Sequence, residues 1–350
     1  DPLEIIDQYG ADALRMTLIT GNAPGNDMRF YNERVEASRN FANKVWNASR
    51  FILMNMDGKN VTKPEASELM PADQWILSAC NTLVKDVTEN LDKFELGIAL
   101  SKVYDFVWDE FCDWYIEIAK YRMYHAEEDP KGANAALWTL REVLKTSLKL
   151  LHPYIPFVTE EIYSKLVPEE ESLMMSAWPV YDEAASFPEA EDVLNHYKEI
   201  VRGVRNVRAE MNVPNSRKAT IYVVCENAKL SQGLMSLKDS VKLMAAANDF
   251  VIQTDKTGIA DDAVSIVVPD ATVYLPMEEL IDFAQEIERL AKEETRLQKE
   301  IARANGMLNN EKFVSKAPEA KVQEEREKLE KYQQMLAQVQ ERLAGLKEKM

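Results

Sequence analysis

Two runs of apolar residues late in the chain constrain its fold more than any other feature. Within each run, seam positions alternate at intervals of four and three residues, which is the pattern of a coiled coil. The first seam contains Phe283, Ile287, Leu290, Glu294, Leu297, Ile301, Ala304 and Leu308. The second contains Val322, Glu325, Leu329, Tyr332, Leu336, Val339, Leu343, Leu346 and Met350. We therefore expect an antiparallel coiled-coil hairpin with arms of about 40–45 Å, turning near Asn309, Asn310 and Pro318.

The chain before the hairpin is predicted to be mainly α-helical. Apolar residues recur every three or four positions from Ala72 to Leu166, which predicts an antiparallel helical bundle. Asp1 followed by Pro2 is typical of a helix start. Further helices are predicted at about Ala11–Thr20 and Asn32–Met54.

A small α/β unit is predicted between the bundle and the hairpin. Its strands are the β-branched, apolar runs ATIYVVC, DFVIQ, SIVV and TVYL. Helices are predicted at about Asp192–Met211 and Gln232–Ala247. The expected domains are residues 1–60 (entry helices and linker), 61–190 (bundle), 191–276 (α/β unit) and 277–350 (coiled-coil arm).

The net charge of −17 argues against a nucleic-acid partner if it is taken alone. Salt screens charges beyond about 8–10 Å, however, so the local distribution decides. From Glu278 onward there are 14 basic and 16 acidic residues, which leaves about −15 for the remainder. The hairpin is therefore the part least repelled by a polyanion.

Cysteine usage and hydropathy suggest a cytoplasmic protein. Cys80, Cys112 and Cys225 are odd in number and widely separated, so we expect buried thiols rather than disulfides or a zinc site. No run of about 18 apolar residues predicts a membrane span, and no secretion signal is recognisable.

The helix predicted around RNFANKVWNASRF, residues 39–51, carries three asparagines, which are poor interior helix residues. A helical wheel places Asn40, Lys44, Asn47 and Phe51 on one face. It places Ala42, Val45, Ser49 and Ile52 on the opposite, core-facing side, flanked by Trp46 and Leu53. Five basic and two acidic residues lie between Arg29 and Phe51. This face can read unpaired RNA bases, or its amides can bond neighbouring helices while Phe51 packs in the core.

A second basic pattern consists of Arg202, Arg205 and Arg208, followed by Arg217 and Lys218. It suits either a phosphate-facing stripe or a solvated helix face. We identify no catalytic residue, metal-ligand set or cofactor-binding loop. In EFCDWY, acidic residues are expected to flank packed core residues.

Several segments resemble valyl-tRNA synthetases, which are class I aminoacyl-tRNA synthetases. DPLEIIDQYGADALR is similar to the segment after the KMSKS loop of that class. RNFANKVWNASRF, EFCDWYIEIAK, LLHPYIPFVTEEIY, VRNVRAEMNVP and KFVSKAPEAKVQEEREKL follow in the family's order. The resemblance implies a class Ia anticodon-binding bundle and a coiled-coil arm that lies along the corner of tRNA(Val). The HIGH and KMSKS signatures and the editing insertion are absent from this sequence.

The resemblance also implies particular roles. The parent is a monomeric cytoplasmic ligase that uses ATP and Mg²⁺, whereas this region is expected to bind tRNA without aminoacylating it and without a cofactor. Phe51, Arg29 and Lys44 match anticodon-contacting positions, and Glu33 stands where the family has an arginine, a role that Arg34 could take over. The expected anticodon contacts are Arg29, Arg34, Asn40, Lys44, Asn47, Arg50 and Phe51. The expected arm contacts are Arg296, Arg303, Arg326 and Arg342.

A different class of function is also consistent with these patterns. A helical bundle with a coiled-coil arm can dock a protein partner and have no role with RNA.

Overall fold

The computed structural model describes residues 1–21, 29–280, 283–310 and 318–348, except for the side chains of residues 283–286, 320, 342 and 345–348. The first three helices are α1 (Pro2–Tyr9), α2 (Ala11–Ile19) and α3 (Asn32–Met56). The Asp1 carboxylate accepts a hydrogen bond from the Leu3 N–H at 2.9 Å. The predicted N-cap is therefore confirmed.

The helical bundle follows a linker that contains one short 3₁₀ turn, Ala66–Glu68. Its α-helices are α4 (Pro71–Asp92), α5 (Leu96–Asp105), α6 (Ile116–Tyr124), α7 (Pro130–Leu151) and α8 (Pro156–Leu166). Apolar faces of these helices form one continuous core with α3 and the α/β unit. The predicted mainly helical fold is confirmed.

A π-helical segment, Phe106–Tyr115, joins α5 to α6. Here the Ile116 N–H donates to the Phe111 carbonyl, five residues earlier. In EFCDWY, the apolar and aromatic side chains are buried, and Asp113 is exposed. The expected packed core with an acidic flank is confirmed, but the widened helical turn was not predicted.

A buried ion pair links three elements of the bundle. The Arg122 guanidinium donates to both carboxylate oxygens of Asp73 at 2.7 Å, and the Tyr115 hydroxyl donates to the same carboxylate at 2.7 Å. Asp73 also accepts from the Met70 N–H at the start of α4. Burial, followed by the Asp73 charge, raises the pKa of Tyr115 well above its usual range. α4, the π-helical segment and α6 are thus fixed together by a buried polar cluster, in which the Arg122 Nε alone lacks a partner among the described residues.

The α/β unit begins with α9 (Pro188–Glu210), which packs against α4. Its four strands are β1 (Ala219–Val224), β2 (Ala247–Gln253), β3 (Val264–Val268) and β4 (Ala271–Leu275). They form one sheet in the order β2–β1–β4–β3, in which β1 is parallel to β2. β3 and β4, the strands predicted from SIVV and TVYL, form an antiparallel hairpin around Pro269-Asp270.

One helix prediction in this unit was wrong. The structure has α10 (Ala228–Ser236) and α11 (Lys238–Met244) in place of one helix over Gln232–Ala247. Ala246 adopts a left-handed φ of 52°, which ends the helical path, and Ala247 already begins β2. The apolar spacing continues through Leu237, which separates α10 from α11, and through Ala246. The spacing alone could therefore not reveal where these helices end.

The coiled-coil arm is formed by α13 (Phe283–Leu308) and α14 (Glu319–Glu348), after the short α12 (Met277–Leu280). Seam residues Leu290 and Leu343 are buried against each other, and the Gln340 amide donates to Glu294 at 2.8 Å. These pairings confirm the antiparallel hairpin. Most of its turn, residues 311–317, lies outside the described residues, as do the side chains of Phe283, Leu346 and Met350.

The three cysteines are free and buried, as expected. Burial raises the pKa of the Cys80 and Cys112 thiols to about 12. Within the described residues, no helix is long and apolar enough to cross a membrane.

Candidate nucleic-acid interface

The buried face of α3 explains how this helix is held. Val45, Ser49 and Ile52 are buried as predicted, and the Ser49 hydroxyl donates to the Val45 carbonyl. Ala42 and Leu53 are half-buried. Trp46 departs from the predicted flank of the core, because it is 41% exposed. It lies at the outer border of the buried stripe, where no neighbouring helix covers it completely.

The opposite face of α3 is open. Asn40, Asn47 and Arg50 are exposed, and neither amide forms a hydrogen bond with any described residue. Asparagine is unfavourable in a helix by a few tenths of a kcal/mol, and no helix–helix hydrogen bond compensates for it here. These amides are available to a ligand.

Lys44 lies at the border of this open face and is held by two groups that are distant in sequence. Its Nζ is 2.6 Å from an Asp113 carboxylate oxygen and 3.8 Å from the centre of the Trp108 ring. Trp108 stacks on Tyr104, which stacks on Phe41 at a centroid distance of 4.6 Å. The π-helical segment thus supplies an aromatic platform and a carboxylate that the sequence analysis did not identify.

Phe51 is half-buried and packs against the core. The Lys120 ammonium lies 5.5 Å from the centre of its ring, within the range of a cation–π contact. Part of the ring remains accessible, so Phe51 both packs in the fold and contributes to the surface.

Arg34 and Arg29 are exposed but do not share the face of Asn40. Arg29 precedes α3, and Arg34 lies about 120° around the helix from Asn40. Arg34 lines a cavity of about 370 Å³ between α2, α3 and α5, together with Tyr104 and Asp105. Burial, followed by the Asp109 charge, raises the pKa of Asp105. Of the predicted contact residues, Arg34 therefore borders a cavity beside the open strip on α3, and Arg29 lies before that helix.

The predicted arm arginines whose side chains the structure describes are exposed. Arg296 makes two hydrogen bonds to Glu293 at 2.6 and 2.8 Å, and Arg303 pairs with Glu300 at 3.1 Å. Arg326 is also exposed, whereas the side chain of Arg342 lies outside the described residues. Exposed pairs of this kind are weak, so they leave the arginines free to exchange partners.

Among the described residues, no cluster of three His, Cys, Asp or Glu side chains is arranged to hold a metal ion.

Comparison with known families defines the class of this architecture. Residues 73–223 match the family model described as the anticodon-binding domain of tRNA ligases. Residues 282–347 match the model described as the valyl-tRNA synthetase tRNA binding arm. The bundle, with α9 and β1, is thus an anticodon-binding region of the aminoacyl-tRNA synthetase class.

Individual relatives narrow this class to one family. The chain is 51% identical to the valine–tRNA ligase of Clostridium perfringens, 49% to that of Clostridium acetobutylicum and 48% to that of Clostridium tetani. Each alignment covers 99% of this chain and 39% of the relative, so the chain spans well under half the length of the proteins it matches. The chain belongs to the valyl-tRNA synthetase family.

Proposed function

We propose that this chain is the tRNA-recognition region of a valine–tRNA ligase, and that its bundle binds the anticodon arm of tRNA(Val). The observation that carries this proposal is the open strip on α3, where unbonded amides and cations lie beside stacked aromatic rings. Amides can pair with base edges, cations can contact phosphates, and an exposed ring edge can support an unpaired base.

Particular contacts follow from this arrangement. Asn40 and Asn47 would pair with base edges, Arg50 and Arg29 would contact phosphates, and the accessible part of Phe51 would stack on a base. The cavity beside Arg34 and Tyr104 would receive a second unpaired base, and Arg34 would then take the role expected where Glu33 replaces an arginine.

The coiled-coil arm would lie along the corner of the tRNA and contact it through Arg296, Arg303, Arg326 and Arg342. We propose four domains: stem-contact and linker helices at residues 1–60, which include the open strip on α3, the anticodon-binding bundle at 61–190, the α/β junction unit at 191–276 and the arm at 277–350. The whole ligase would be a cytoplasmic monomer that uses ATP and Mg²⁺ to attach valine to tRNA(Val).

The test compares binding of the chain to valine tRNA and to the same tRNA with a changed anticodon. We expect weaker binding to the changed tRNA, because base contacts specify whereas phosphate contacts only position. Equal affinities would refute the anticodon role. Sedimentation tests the alternative of a protein-docking module: a concentration-dependent dimer that is indifferent to tRNA would favour that alternative.

A further inference from the structure

A basic cavity lies in the α/β unit, where α9 and α11 end. Its volume is about 520 Å³. Four cationic residues line it, and no carboxylate does: the charged lining consists of Arg205, Arg208, Lys218 and Lys242. In a protein with a net charge of −17, such a concentration of positive charge requires an explanation.

Arg208 is the most unusual of these residues, because it is only 4% exposed. Its Nη2 donates to the carbonyls of Pro214 at 2.7 Å and Arg217 at 2.6 Å, and its Nε is buried without a partner. It forms no ion pair with any carboxylate of the described residues. Burial accordingly lowers its pKa. A buried cation without a counter-ion is unfavourable, and an anion in the cavity would relieve this cost.

The other cations have little local compensation. Arg205 donates through Nε to the Met244 carbonyl at 2.8 Å. Lys218 is exposed, and Lys242 lies 3.9 Å from Asp239, at the limit of an ion pair.

The helix ends near the cavity do not cancel this charge. The C-terminal ends of α9 and α11 contribute about half a negative charge each. Even if Asp239 neutralises Lys242 completely, the three remaining cations outweigh the two helix ends by about two charges. The cavity is therefore suited to an anion.

We propose that this cavity binds a backbone phosphate of RNA, an inference that rests on the tRNA-binding function proposed above. Arginine and lysine together suit phosphate, because the guanidinium fork matches its oxygens. The apolar part of the lining is aliphatic and contains no aromatic ring: Ala209, Val213, Leu243, Met244, Ala245 and Ala246. A free nucleotide would therefore lack a stacking surface for its base. A phosphodiester needs none, so the cavity positions RNA without reading its sequence.

The test measures tRNA affinity against salt concentration for Lys218→Gln and for Arg205→Gln/Lys218→Gln. Lys218 is exposed and makes no hydrogen bond with a described residue, so its substitution should leave folding intact. The matched control is Lys229→Gln in the same unit, at an 83% exposed lysine paired with Glu189 outside the cavity.

We expect the double variant to lower the salt slope by about 0.7–0.9, the contribution of one phosphate, and so to weaken binding about five- to eightfold at 0.1 M relative to 1 M salt. Lys218→Gln alone should produce about half of that slope change. Both losses should be equal for valine tRNA and the changed-anticodon tRNA. Variants that match Lys229→Gln in affinity and slope would overturn the phosphate site.

Two further results separate the possible failures. If unsubstituted protein binds both tRNAs equally, the anticodon role fails, whereas the effect of the cavity variants still tests the phosphate site. The second result comes from millimolar inorganic phosphate and the melting temperature. If phosphate raises the melting temperature of the unsubstituted protein but not that of the double variant, and if the substitutions leave tRNA affinity unchanged, the cavity binds free phosphate. That outcome would overturn the RNA-backbone assignment.

Discussion

The pair between Lys44 and Asp113 predicts that removing an acidic residue should strengthen tRNA binding. In the free protein, the Lys44 ammonium lies 2.6 Å from an Asp113 oxygen, so part of its charge is already neutralised. A phosphate that approaches Lys44 must displace this carboxylate or tolerate its repulsion. Asp113→Asn removes both obstacles, and the Trp108 ring, 3.8 Å away, still holds the ammonium in place.

The size of the gain follows from the exposure of the pair. The side chains of Lys44 and Asp113 are 23% and 53% exposed, so solvent screens their attraction. Partly exposed pairs contribute about 0.2–1 kcal/mol. If the energy of the Lys44–Asp113 pair no longer has to be given up when RNA binds, the affinity for tRNA rises about 1.4- to 5-fold, with RT of about 0.59 kcal/mol.

The assay is fluorescence anisotropy with a labelled anticodon-arm hairpin RNA at low and moderate salt. Asp86→Asn is the matched control, because Asp86 pairs with Lys102 at 2.7 Å and both side chains are 40% exposed. It changes the net charge equally, away from α3. Unchanged or weaker binding by Asp113→Asn, or an equal gain in the control, would refute the reasoning.

Three further predictions concern the core and the site. Asp73→Ala should lower the free energy of unfolding by about 3–5 kcal/mol, because it leaves the buried Arg122 charge unpaired; a loss below about 1 kcal/mol in urea titration would contradict this. Phe51→Ala should weaken valine tRNA binding by about 1–3 kcal/mol. Because the ring is half-buried, the substitution should also lower the free energy of unfolding. Unchanged tRNA affinity in folded protein would show that Phe51 is not part of the site. Cys80 should react with iodoacetamide at pH 8 at least about 1,000-fold more slowly in native than in urea-unfolded protein. Burial raises the pKa of this thiol from 9.0 to about 12, so the native protein holds about a thousandth of the reactive thiolate. Comparable rates in both states would show that the thiol is not protected.

Local periodicity was sufficient to predict most elements of the fold. The seams around Leu290 and Leu343 predicted the antiparallel arm, because a 3.5-residue repeat has few alternative structures. The β-branched runs on either side of Pro269-Asp270 predicted strands β3 and β4, and the helical wheel predicted a polar face on α3, although not whether that face is open. These signals are carried by residues that are close together in sequence.

The remaining features depend on residues that only folding brings together. Lys44 and Asp113 are 69 positions apart, so no wheel could pair them. Arg208 follows Arg202 and Arg205 at equal spacing, yet it is buried because the Pro214 and Arg217 carbonyls fold back over it. The π-helical turn also lacked a signal, because the apolar spacing of residues 106–115 fits either helix type.

The π-helical segment has a consequence for changes in chain length. Removing one residue from an α-helix turns everything beyond it by about 100°, which in α6 would carry Arg122 away from Asp73. A wide turn can instead tighten to ordinary α-helical pitch and absorb the deletion locally. Single-residue deletions should therefore be tolerated better within Phe106–Tyr115 than in α5 or α6.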